Sequence, residues 1–127
     1  VLLGYKSGHT GCQNLLYKAI DGEMEIIISP LSVSKIWKSQ DFDRKSEIGY
    51  LGLLEFMTIS PIDLETATKT GHTLRENSTD PNIDLEVANI VSICNISGHS
   101  LVTTKPELYD DLFDGVINCE EAISNLN

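Results

Sequence analysis

The sequence predicts an α/β domain, a three-layer α/β/α sandwich with helices on both faces of a central parallel sheet. Short apolar, β-branched runs alternate with helical patterns along the whole chain, and the intervening loops are too brief to be domain linkers. Parallel strands need crossovers of the kind those helical segments supply. With 127 residues the chain forms a single domain that buries roughly two thirds of its unfolded surface, enough for one core without a disulfide or a structural metal.

The first helix with a clear pattern starts at His9 or Thr10, repeats apolar residues at Leu15, Leu16, Ala19 and Ile20, and stops at Asp21-Gly22. A strand is expected over Glu25–Ser29, where Ile26-Ile27-Ile28 suits a strand buried on both faces. Ser29-Pro30 ends it, and Ser32 or Ser34 can cap a helix carrying Val33, Ile36 and Trp37. A polar loop leads to a helix around Glu47 to Glu55, and Phe56–Ile59 reads as the second strand. Ser60-Pro61-Ile62-Asp63 turns into a helix from about Leu64 to Leu74. A loop over Asn77–Pro81 precedes a helix from Asn82 or Ile83 to about Ile96, whose apolar pattern Asp84 opens. Strands Ser100–Thr103 and Val116–Asn118 follow, with a short helix from Pro106 between them and a terminal helix from Glu120.

Composition narrows the function. Nineteen acids against nine lysines and arginines give a net charge of −10, which opposes nonspecific binding to a phosphate backbone. A local basic patch at Lys35, Lys38, Arg44 and Lys45, beside Trp37, is interleaved with Asp41, Asp43 and Glu47 and reads as a solvated helix face and loop. Acidity suits solubility or a partner with an arginine-rich segment. The three cysteines, Cys12, Cys94 and Cys119, lack Cys-x-x-Cys spacing and read as reduced thiols, with Cys12 and Cys94 as small core residues. His9, His72 and His99 sit singly beside glycines, as loop or helix-end residues. No apolar run reaches membrane-spanning length and no signal peptide is read in Val1–Gly8, so a cytoplasmic location is expected.

Several segments in order resemble the PIN-domain nucleases, the family of the VapC toxins. Ile26-Ile27-Ile28-Ser29-Pro30 followed by Val33-Ser34-Lys35-Ile36-Trp37 resembles a strand ending in Ser and a helix that carries the family's second acid; Lys35 stands where that acid is usually Glu. Glu55–Asp63 resembles the next strand and turn, with Ala67 at a place for a small packing residue. Asp84 starts a helix that feeds Ser100-Leu101-Val102-Thr103-Thr104, and the acid that should follow is Lys105. Asp84 and Lys105 lie about one helical turn further apart than in typical members. At the N-terminus, Val1-Leu2-Leu3 is either the hydrophobic triplet after the family's first acid, the alignment favoured by the distance to Ser29, or the first strand itself with Gly4 at the acid's position. Either way the chain supplies no first acid.

The resemblance implies an endoribonuclease that holds Mg²⁺ or Mn²⁺ among clustered carboxylates to activate water and neutralise charge on the scissile phosphate. Asp84 and Glu107 are the catalytic positions that remain, with Asp84, Glu107 and Asp110 as candidate metal ligands and Glu86 and Asp111 nearby. Lys35 and Lys105 are the degenerate positions. An ammonium entering that pocket can pair with Asp84 electrostatically but has no Lewis acidity. Taken alone, Asp84 reads as a helix N-cap, Glu107 as a first-turn acid, and Glu86 as facing solvent or another side of the helix. Two functions are therefore expected in order: a PIN-like protein that binds a partner, as a homodimer or with an antitoxin-like peptide, and does not cleave; then an active ribonuclease, the one case with an RNA partner. An unrelated doubly wound domain of receiver type is a third. No membrane partner is expected.

Overall fold

The computed structural model describes residues 1–126. Helix starts follow from local polar caps. His9 Nδ1, Ser29 Oγ, Asp43 Oδ1, Asp63 Oδ1, Asp84 Oδ1 and Asn118 Oδ1 each accept a first-turn amide, satisfying donors that have no partner inside the helix. They open α2 (Thr10–Ile20), α3 (Pro30–Trp37), α4 (Arg44–Leu54), α5 (Leu64–Glu76), α6 (Leu85–Ser97) and α7 (Cys119–Ser124). Asn118 and Glu121 complete a reciprocal capping box. Gly98, at φ +73°, ends α6 in the left-handed region that a side chain disfavours. A short α1 (Leu2–Lys6) precedes them, so Val1–Leu3 is not a strand. His72 lies within α5, where it pairs with Glu76, and not in a loop.

The four expected strands form where they were placed but are short: β1 (Ile27–Ile28), β2 (Thr58–Ile59), β3 (Leu101–Val102) and β4 (Val116–Ile117). All pairing is parallel, Ile27 with Thr58 and Leu101 with Val116. The described strands do not make one central sheet. They form two two-stranded sheets, β1 with β2 and β3 with β4. A ladder lasts only while both chains stay extended. Ser29 leaves it at once to cap α3, Asn118 leaves β4 to cap α7, and β2 exposes both of its residues.

Packing follows the two half-sheets. Ile28 joins Leu2, Leu16, Ile36, Tyr50 and Leu53 in one cluster, and Leu101 joins Val87, Val91, Cys94 and Tyr109 in another. Cys12, Leu15, Cys119 and Ala122 fasten α2 to α7 in a third. Helix α6 is buried on most of its circumference and packs along α5. Its fully buried Asn89 takes a hydrogen bond from Ser29 Oγ and donates to Thr70 Oγ1 at 3.3 Å, and Thr70 donates to the Thr66 carbonyl at 2.7 Å. This chain joins α3, α6 and α5, and it explains why α5 turns Thr66 and Thr70 inward while Ala67 is exposed. No helix among the described residues is long and apolar enough to cross a membrane.

Candidate functional site

A cleft of about 1580 Å³ is lined by β1, by β3 and by the first turn of α6. Ser29 and Thr103, the residues that leave β1 and β3, line it together with Lys35, Asp84, Glu86, Lys105, Glu107 and Asp111. The ends of the strands thus bring most of the expected residues to one place, as open α/β sheets do. Asp110 is exposed and does not line the cleft.

In its lining Lys35 Nζ, on the second turn of α3, lies 3.0 Å from Glu86 Oε1 on the first turn of α6. Glu86 therefore does not face solvent: its side chain is 17% exposed. The apolar neighbour Leu85 is the exposed one, at 54%, because the first turn of α6 leans toward α3 and residue 86 is the position presented to it. The hydrogen bond to Glu86 raises the Lys35 ammonium above its ordinary 10.5, against the opposing effect of burial, and the charges of Glu86 and Asp84 add to the rise.

The expected lysine pair with Asp84 is not made. Asp84 Oδ1 accepts the Val87 amide at 2.9 Å as the cap of α6, which turns that oxygen toward its own helix, while Lys35 reaches the nearer Glu86. Lys105 makes no ion pair among the described residues; its amide donates to Thr103 Oγ1 at 3.1 Å, and its side chain is exposed where the turn Pro106–Leu108 begins. Glu107, in that turn, is also exposed. Tyr109, two residues on and buried, was not expected at the site. Burial, then Glu86 and Asp84, push its phenol far up, so it stays a neutral hydroxyl beside the two acids.

Among the described residues, no three His, Cys, Asp or Glu side chains are gathered as a metal centre. The donor set does not suit the implied Mg²⁺ or Mn²⁺: Glu86 is engaged by an ammonium, Asp84 by its helix amide, and Asp110 lies off the cleft. The sequence's basic patch is partly engaged locally: Lys35 goes to Glu86 and Arg44 Nη1 stands 4.0 Å from Glu47, while the interleaved Asp41 takes Lys6 at 2.6 Å and Trp37 packs on Phe42. The arrangement can bind and neutralise charge; Cys94, which lines it, is buried with its thiol pushed up to about 11, and Cys119, outside the cleft lining, is pushed to about 12 by burial and the adjacent Cys12. In comparisons with known proteins, no family model, curated protein or solved structure matches the chain.

Proposed function

We propose that the chain is a PIN-domain-like protein, related to VapC-type metal-dependent ribonucleases, that has exchanged catalysis for binding a protein partner. The observation that carries this reading is the Lys35 ammonium held against Glu86 beside Asp84. A fixed positive charge there neutralises Glu86, acts through its field on the neighbouring Asp84, and repels a divalent cation. The family's three-layer sandwich is part of the proposal, supported by the parallel pairing of both half-sheets and by the helical crossovers. The excess of acids over lysines along the cleft favours a basic segment of a protein partner over RNA.

One observation favours the alternative of an active Mg²⁺- or Mn²⁺-dependent endoribonuclease: Asp84, Glu107 and Asp111 line the same cleft. A cleavage assay separates the two. The chain incubated with single-stranded RNA and Mn²⁺ leaves the RNA intact under the binding reading. Cleavage that needs Mn²⁺ and disappears in Asp84→Asn selects the nuclease.

A further inference from the structure

Cys12, in the first turn of α2, and Cys119, the first residue of α7, lie far apart in sequence and place their sulfurs 3.3 Å apart. Both are buried and both are free thiols. The backbone makes room for this contact at two glycines. A Cβ on Gly4 would stand 2.5 Å from Cys12 Sγ, and one on Gly11 would overlap the carboxylate of Glu120, the neighbour of Cys119. Glycine at position 4 thus lets α1 close on Cys12, and glycine at position 11 lets α7 lie against α2. Leu15 and Ala122 extend the same cluster, whereas Cys94 belongs to a separate cluster with Val87 and Val91 of α6.

A disulfide has an S–S distance of about 2.05 Å, so these sulfurs have about 1.3 Å to travel, a movement of the size that side-chain torsions supply. The bond would close a loop spanning 107 positions, and the restriction a disulfide places on the unfolded chain grows with loop length. Val102 of β3 and Ile117 of β4 pack on the cluster, and Val102 also lines the cleft. Fastening α2 to α7 therefore stiffens what supports one wall of the cleft.

We propose that Cys12 and Cys119 are a reversible redox site, a dithiol that a hydroperoxide converts to an intramolecular disulfide locking α2 to α7. One sulfur, as thiolate, attacks the O–O bond of the peroxide and becomes a sulfenic acid, and the departing oxygen leaves as water with the thiol's proton. The second sulfur then attacks the first: the S–S bond forms, the S–O bond breaks, and the hydroxide takes the second thiol's proton as another water. The two sulfurs give up two electrons and the peroxide accepts them. Burial and the adjacent Cys12 push Cys119 up to about 12, so the reaction is slow and the site answers sustained oxidant and not a brief pulse. The redox site stands whether or not the cleft takes a partner.

The test holds the full chain, without denaturant, in hydrogen peroxide until the reaction stops, denatures it in excess iodoacetamide and maps the digest by mass spectrometry. The expected product is a peptide joining Cys12 to Cys119, two hydrogens lighter than its two parts, with iodoacetamide on Cys94 alone. The thermal midpoint of the oxidised chain should stand about 10 °C above that of the same sample returned to the dithiol by dithiothreitol, a comparison that cancels any methionine oxidation. The bond is read in the natural chain, so no variant has to fold for the test to decide. Sulfinic or sulfonic acid in place of the bond, a bond that includes Cys94, bonds only between chains, an unoxidised pair, or a midpoint unchanged by dithiothreitol overturns the site.

Discussion

Lys35 and Glu86, 51 positions apart in sequence, meet at 3.0 Å and join α3 to α6 in the lining of the cleft. With 35% and 17% of their side chains exposed, neither is fully desolvated. The pair fixes the angle between two elements while keeping contact with solvent.

Removing one partner strands the other. Lys35→Met should cost about 1 kcal/mol, reduced from a buried pair's value by solvent screening, and Glu86→Gln in the same background should recover part of it. The raised ammonium of Lys35 sets the pH dependence. Its contribution is fully present below 10.5 and is lost as pH rises through the higher folded value. Urea denaturation of the wild type and both single and double variants, at neutral pH and above pH 10.5, should show a coupling that vanishes only at the alkaline end.

Asn89 is wholly buried and serves Ser29 and Thr70 at once. Asn89→Ala removes a hydrogen bond from each and opens a small void, so the chain should lose about 3 kcal/mol in urea denaturation. Thr70→Val, which keeps the volume, should cost less. An Asn89→Ala chain as stable as the wild type would contradict the tie between α3, α5 and α6.

All three thiols are buried, and Cys12 and Cys119 Sγ lie 3.3 Å apart. Burial pushes Cys94 to about 11 and Cys119 to about 12, so thiolate is scarce at pH 8. A thiol-disulfide reagent should label the folded chain slowly, at a rate that tracks unfolding, and all three cysteines at once in urea. Fast labelling of the native chain at pH 8 would contradict this packing.

The caps of α2 and α6 were readable from the sequence because a cap is a local event, whereas α3 is capped by Ser29 and not by the expected Ser32 or Ser34, and Asp43 opens α4 ahead of the expected start near Glu47. Asp84, three residues ahead of the amide it accepts, announces α6 without reference to the rest of the fold. So did the places of the four strands, each a brief apolar run. Which edges pair was not readable: Ile26-Ile27-Ile28 looks like an interior strand, and its free side becomes visible only once β3 is seen to pair with β4 alone. The role of Glu86 was hidden for the same reason. Its partner is 51 residues away, beyond the reach of any local pattern. Asn89 sits inside an apolar run, and a lone polar residue there was the one available sign of a buried tie.

Calorimetric titration of the natural chain with Mn²⁺ tests most directly whether Lys35 stands in for a cation at the acidic cleft. The account predicts no stoichiometric binding, and a rise in affinity when Lys35→Glu and Lys105→Asp are introduced together, since two positive charges are exchanged for two carboxylate ligands. Tight, stoichiometric binding by the unmodified chain, abolished by Asp84→Asn, would contradict it.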